Sequence, residues 1–358
     1  MAQIDDLIRQ ARQRGASDLH LCPNAVPMAR VDGEVVPLGD QRISRDALHL
    51  MLFEIADAAV QARFEQTREA GLAYELAGVA RVRGHLYEQA RGTAGAFRLL
   101  SAGIPSLEGL GLPPRVGELV TRPCGLILVS GPAGSGRSTT LAALVDHVNR
   151  TLCCHIVTLE DPIEFKHACH CSLVDQREVG RHTPSLARGL RAALRADADV
   201  IAAAEPSGAE ALEAILEAAA SRLVLATVTA ADAASAVEAV LDGAPDEARG
   251  RAAGRLAAAL VAVMHHRLLR RADRPGRVLA LELLLGTPAV AALIREQRTA
   301  QLDTLLRNGA KDGMQCMDDA VRALQEAGIV ETGGSQVRRG APRPRAGDAG
   351  GDELKAAA

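Results

Sequence analysis

Apolar residues Ile4, Leu7, Ile8 and Ala11 recur at three- and four-residue spacing, so the chain opens with an amphipathic helix. Short runs at Asp18–Leu21 and Met28–Val31 read as strands, and Asp32-Gly33 then supplies a hairpin turn signal. A helical stretch from about Ser44 to Ala70 follows, then strand-like runs at Ala73–Leu76 and Val79–Leu86. Short strands mixed with helices predict a small α+β domain over residues 1–100. Pro105, Pro113, Pro114, Pro123 and several glycines then mark a linker, 101–123, with a small helix inside it. From Gly125 the pattern changes. Continuous apolar runs at Leu126–Ser130, Ile156–Leu159, Val200–Ala204 and Leu223–Val228 alternate with helical segments, and Val278–Leu285 adds a later strand. Fully apolar strands alternating with helices predict a parallel sheet in an α/β domain over 124–331. Gly, Pro, Arg and Ala without periodicity predict a disordered tail over 332–358. There is no internal repeat.

Composition narrows this picture. With 48% apolar residues but only 2% aromatics, the cores must be packed from Leu, Val and Ala. A net charge of −3 and the lack of a basic stripe interleaved with aromatics argue against nucleic acid as a partner. The tail arginines Arg338, Arg339, Arg343 and Arg345 are offset by Asp348, Asp352 and Glu353. The longest purely apolar run, Leu256 to Met264, falls well short of the ~18 residues of a membrane span. The N-terminus lacks the basic and apolar regions of a signal peptide. A cytoplasmic protein that does not span the membrane is expected, its seven cysteines reduced rather than paired.

The sharpest chemical signal is Gly131-Pro-Ala-Gly-Ser-Gly-Arg-Ser-Thr139, a phosphate-binding loop between a predicted strand and a predicted helix. Gly131, Gly136 and Ser138 fit that pattern, and backbone N–H groups of the loop, with Gly134, Ser135 and Thr139 also in it, would cradle the phosphates of ATP. The Ser138 hydroxyl would ligate Mg²⁺. Arg137 stands where the pattern has lysine. Arginine keeps the positive charge but is longer, planar and forked, so it attracts nucleotide yet is expected to misplace the γ-phosphate. The other outcome is that the neighbouring backbone adapts and Arg137 works.

Carboxylates end two of the apolar strands. Thr158-Leu-Glu-Asp-Pro-Ile-Glu-Phe165 puts Glu160 at the carboxyl end of a strand, where it can orient or deprotonate a water. Asp199-Val-Ile-Ala-Ala-Ala-Glu205 has the form of a Walker B strand, with Glu205 acting on Mg²⁺. Each is otherwise a solvated strand end. Arg81 and Arg83 share one strand face and are candidate arginine fingers, although paired arginines taken alone are more often a solvated surface. Cys153-Cys-His155 and His167-x-Cys-His-Cys171 match no common zinc spacing.

These motifs occur in an ordered series, and over residues 1–330 the chain resembles the type IV pilus retraction ATPases (PilT/PilU-like) of the type II/IV secretion ATPase superfamily. The resemblance rests on Ala16-Ser-Asp-Leu-His20, Arg30-Val-Asp-Gly33, Ala80-Arg-Val-Arg83, Gly111-Leu-Pro-Pro114 and the P-loop. Glu160-Asp-Pro-Ile-Glu-Phe165, Gln176-Arg-Glu-Val-Gly180, Gly286-Thr-Pro-Ala289, Leu293-Ile-Arg-Glu296 and Gly313-Met-Gln315 complete it. The resemblance implies a PAS-like N-terminal domain, a RecA-like C-terminal domain and a hexameric ring, homomeric or mixed with an intact retraction ATPase. It implies Glu160 as the catalytic glutamate, Glu205 as the Walker B carboxylate and Arg81 and Arg83 as the arginine fingers. It also implies a place at the inner-membrane face, on the pilus platform protein.

Four departures bear on nucleotide coupling. The P-loop lysine is Arg137, and the Walker B strand runs Ala204-Glu-Pro-Ser-Gly208 instead of the family's Gly-Glu-Met-Arg-Asp. The family's two histidine-box positions align with Arg222 and Thr229, and the segment before Arg222 is one residue short. The resulting expectation is a degenerate paralogue that binds nucleotide, hydrolyses it slowly or not at all, and regulates or completes mixed rings. The alternatives are an active motor that tolerates Arg137, and a metal- or redox-sensing module built on Cys153, Cys154, Cys169 and Cys171.

Overall fold

The computed structural model describes residues 3–31, 33–76, 78–100, 103–274 and 276–331. The predicted tail over 332–358, and Asp32 of the hairpin signal, lie outside the described residues.

Helix α1 (Ile4–Gln13) buries Ile4, Ile8 and Ala11, the face its spacing marks. Strands β1 (Asp18–Leu21) and β2 (Met28–Val31) fall on the predicted residues, and β2 pairs antiparallel with β3 (Glu34–Pro37). The single helical stretch expected up to Ala70 is instead two helices, α2 (Arg45–Glu54) and α3 (Ala58–Thr67). The physical cause is the Asp57 side chain, which accepts the Val60 N–H at 3.0 Å and so starts a new helix. Arg68 (φ 62°) then ends α3 in the left-handed region. Strands β4 (Glu69–Leu76), β5 (Ala80–Gln89) and β6 (Gly92–Leu100) complete an antiparallel sheet of order β3-β2-β1-β6-β5-β4. A short helix, α4 (Arg115–Leu119), lies in the proline-rich connection.

The second sheet begins at β7 (Gly125–Ser130), all six of whose residues are buried. It continues through α5 (Arg137–Thr151), β8 (His155–Glu160), β9 (Leu173–Glu178), α6 (Leu186–Arg195), β10 (Val200–Ala203), α7 (Ala209–Ala219) and β11 (Leu223–Val228). Helices α8 (Ala233–Asp242) and α9 (Asp246–Ala259) lead to β12 (Leu260–Arg270) and β13 (Arg277–Leu285). Helices α10 (Pro288–Arg295), α11 (Leu302–Asn308) and α12 (Met317–Glu326) close the fold. Strand order is β13-β12-β7-β11-β10-β8-β9, parallel throughout except that β13 runs antiparallel to β12. The few residues between Arg270 and Arg277 are too short for a crossover, so only a hairpin is possible there. The chain is therefore α/β, a RecA-like P-loop domain preceded by a smaller α+β domain.

Two buried polar devices tie the sheet to its helices. Glu282 on β13 accepts the Ala233 N–H at 2.8 Å and the Met317 N–H at 3.1 Å, so one carboxylate serves the first residues of both α8 and α12. On β12, His265 lies opposite Ser130 of β7 and its Nδ1 is 3.1 Å from the Ser130 hydroxyl. Beside it, His266 is fully buried with neither ring nitrogen hydrogen-bonded. Burial, reinforced by His265 and Arg137, pushes the His266 pKa down to about 3.

A neutral His266 has a consequence for acid stability. The unfolded chain protonates it near 6.5 and the folded chain only near 3, so its contribution is complete above pH 6.5 and is lost as pH falls through that window. The loss is at most about 1.4 kcal/mol per pH unit. His266→Gln is expected to flatten the pH dependence of urea-unfolding free energy between pH 6 and 4 relative to the unmodified chain. Parallel curves for the two proteins would contradict it.

Candidate functional site

Strands β7, β8, β10 and β11 all point their carboxyl ends the same way, and the candidate site forms where those ends converge. After β7 the chain turns through Gly131, Gly134 and Gly136, all at positive φ (148°, 78° and 93°). A Cβ on Gly131 would sit 2.4 Å from Ser135 Oγ and 2.8 Å from the His266 carbonyl, so only glycine fits. Gly136 is the N-cap of α5 and offers no side-chain cap, which leaves first-turn N–H groups of that helix for an external acceptor. Ser135 Oγ is buried and without a partner. A glycine cradle, a helix N-terminus and an orphaned hydroxyl together suit phosphate groups.

Arg137 does not point its charge into open space. Its Nη1 donates to Glu205 Oε2 at 3.1 Å and to Thr229 Oγ1 at 2.7 Å. Thr229 in turn donates its backbone N–H to Glu205 Oε1 at 2.7 Å and its hydroxyl to Glu205 Oε2 at 2.8 Å. The three residues form a closed polar triangle across the ends of β7, β10 and β11. Both Glu205 oxygens are engaged in it. A charge-assisted bond from a forked guanidinium is stronger than a neutral one, and the Arg137 side chain is only 17% exposed. Ser138 and Thr139 follow on the first turn of α5 and are half-buried.

Glu160 ends β8 in a different setting. Its Oε1 accepts the Thr158 hydroxyl at 2.7 Å and the Gln176 amide at 3.0 Å. Burial raises its pKa above the ordinary glutamate value, with those two hydrogen bonds opposing the shift. Gln176 on β9 also donates to the Phe165 carbonyl at 2.8 Å and accepts the His167 N–H at 2.8 Å. It therefore sets the shape of the acidic loop 161–165 as well as holding Glu160. The Gln176–Gly180 run carries part of the family resemblance, but nothing in its spacing assigns Gln176 this task, because Asp175, Arg177 and Glu178 beside it are equally polar.

Arg81 and Arg83 lie on β5 of the first sheet and are not brought to the P-loop by the contacts the structure records. Arg81 is 3.8 Å from Glu75, while its Nε and Nη1 are buried without hydrogen bonds. Arg83 is 3.6 Å from Glu164 in the acidic loop. Arg222 pairs with Asp197 at 2.6 Å at the start of β11. Seven residue steps at ~3.3 Å each put it roughly 23 Å along the strand from Thr229. Among the described residues, no group of three or more His, Cys, Asp or Glu side chains is arranged to hold a metal, so the metal-sensing alternative has no site in the Cys/His segments. No helix of the described residues is long and apolar enough to cross a membrane.

The type II/IV secretion system protein family matches residues 1–322. The type IV pilus retraction ATPase PilT of Pseudomonas aeruginosa is 37% identical over 328 residues, covering 91% of this chain and 95% of that protein. The type IV pilus ATPase PilU of the same organism is 31% identical, covering 92% of this chain and 86% of its own length. A crystal structure of the pilus retraction motor PilT with bound ADP superimposes with a TM-score of 0.82 at 36% identity, over 92% of this chain and 95% of that one. The chain belongs to the type II/IV secretion system protein family and is PilT/PilU-like within it.

Proposed function

We propose that this chain is a nucleotide-binding ring subunit of the type IV pilus retraction machinery whose hydrolysis is impaired and whose role is to regulate, or complete mixed hexamers with, an intact retraction ATPase. Residues 1–100 act as the PAS-like domain, 101–123 as the linker and 124–331 as the RecA-like motor domain. The ring works in the cytoplasm against the inner-membrane platform protein. The observation that carries this reading is the triangle of Arg137, Glu205 and Thr229.

A P-loop cation serves catalysis by standing between β- and γ-phosphates as charge moves off the transferred group. Arg137 reaches Glu205 and Thr229 instead, so ATP must compete with a carboxylate and a hydroxyl for it. The glycine cradle does not depend on that contact, which is why binding survives better than turnover. Ser138 and Glu205 are the residues that would hold Mg²⁺. That ion would neutralise charge on the phosphate oxygens. Glu205 can turn towards it only by giving up both bonds to Thr229. Arg81 and Arg83 are the arginine fingers of this reading, and to reach the nucleotide of a neighbouring subunit they would have to leave Glu75 and Glu164.

A second reading, an active retraction motor, is favoured by Glu160. Its raised pKa and fixed orientation are those of a competent general base. The two readings separate cleanly in steady-state ATP turnover. Near-background turnover is expected for the unmodified chain, with a gain of roughly 10-fold or more for Arg137→Lys, given that one misplaced electrostatic donor costs ~10²–10³ in rate. Glu160→Ala in that background should return it to the baseline. Robust turnover of the unmodified chain that Glu160→Ala abolishes would establish the motor instead.

Thr229→Ala offers an independent check, since it removes the hydroxyl that holds both Arg137 and Glu205. Releasing about one net hydrogen bond, ~1 kcal/mol, predicts roughly fivefold tighter binding of a fluorescent ATP analogue. Unchanged or weaker binding would show that the triangle does not oppose nucleotide.

A further inference from the structure

All seven cysteines are free thiols, and four of them lie in two neighbouring segments at the end of the second sheet opposite Glu160. Cys153 and Cys154 form the turn between α5 and β8, while Cys169 and Cys171 lie on the approach to β9. These segments are stitched together. The fully buried Asn149 accepts the His170 N–H at 3.0 Å through Oδ1 and donates Nδ2 to the Ala168 carbonyl at 2.7 Å. Its carbonyl accepts the Cys171 N–H at 2.9 Å. The Ser172 hydroxyl donates to the Leu152 carbonyl at 2.6 Å and is 3.3 Å from the Cys154 N–H, bracketing Cys153 on both sides.

Register singles out one pair of thiols. Strands β8 and β9 are parallel with His155 opposite Leu173, and Leu173 N–H donates to the Cys154 carbonyl at 3.0 Å. Two residues before these partners stand Cys153 and Cys171, in the two segments that Asn149 and Ser172 hold together. Neighbouring strands lie about 5 Å apart. The strand pair into which the two cysteines lead is thus spaced within the Cα separation of roughly 4.4–6.8 Å that a disulfide requires. The Cys171 thiol reaches the last turn of α5, just before Cys153, donating to the Arg150 carbonyl at 3.3 Å. Both Cys153 and Cys171 are exposed. The other two are committed elsewhere. Cys154 is half-buried against Ser172, with burial pushing its thiol up, and the Cys169 sulfur accepts the Val174 N–H at 3.4 Å on the β9 side.

We propose that Cys153 and Cys171 are a redox-modification site that closes to an intramolecular disulfide in the presence of a hydroperoxide. One thiolate attacks the peroxide, breaking the O–O bond and forming a sulfenic acid with release of water from hydrogen peroxide. The second thiolate attacks the sulfenic sulfur and expels a second water. The two thiols lose two electrons and the peroxide gains them. The crosslink ties the end of α5, the helix that starts at the P-loop, to β9, the strand whose Gln176 holds Glu160. Its chemistry is independent of whether nucleotide is hydrolysed.

The test is peptide mapping by mass spectrometry under non-reducing conditions, on the full chain treated with hydrogen peroxide and then alkylated. The expected product is one peptide pair joined through Cys153 and Cys171, lighter by two hydrogens and released by dithiothreitol. Cys171→Ser should leave Cys153 trappable as a sulfenic acid by dimedone, and both residues are exposed, so the variant is expected to fold. A crosslink through Cys154 or Cys169, disulfides only between chains, or both thiols still alkylated after peroxide would each overturn the proposal.

Discussion

A guanidinium delivered by a P-loop needs acceptors, and this fold supplies two within hydrogen-bond distance before any nucleotide is considered. Arg137 is fixed to Glu205 and Thr229, and those residues are fixed to each other, so three strand ends are coupled through one small polar cluster. Each bond is replaceable by a phosphate oxygen or a metal ion. Arg137 and Thr229 are therefore one physical feature, because the Thr229 hydroxyl accepts from the same Nη1 that meets Glu205.

The scaffold around that cluster is built to hold it still. The second sheet is buried through β7, β10 and most of β11, so the strand ends have little room to shift. Glu282 fixes the start of α8, four residues after Thr229, and fixes α12 by its other oxygen. On the far side of the P-loop strand, β12 contributes His265 to Ser130 and the His266 carbonyl to the floor beneath Gly131. A second, separate polar arrangement serves Glu160, where Thr158 and Gln176 compete with burial. The nucleotide cradle and the candidate base are thus held by different strands, which permits one to be altered while the other keeps its geometry.

Much of this was legible in the residues, and the exceptions have physical causes. The apolar runs of β7, β8, β10, β11 and β13 stand out because both their faces are buried, and the glycine spacing after β7 identifies the cradle. Strand β9 does not stand out, since Leu-Val-Asp-Gln-Arg-Glu is an edge strand whose side chains are half-buried or exposed. Strand β12 is hidden for another reason. It follows α9 with no glycine or proline between them, so one alanine-rich apolar run spans two elements. Arg137, Glu205 and Thr229 were each readable as site positions or departures. Their mutual contact was not, because it depends on three strand ends separated by up to ninety-two positions along the chain.

Binding and hydrolysis are most directly separated by titrating Mg²⁺-ATP into the purified full chain in a calorimeter and following the heat after each addition. A saturable binding heat that returns to baseline after every injection is expected if Arg137 is held away from the γ-phosphate. A sustained heat of hydrolysis, present in the unmodified chain and absent in Glu160→Ala, would contradict that and identify a working motor.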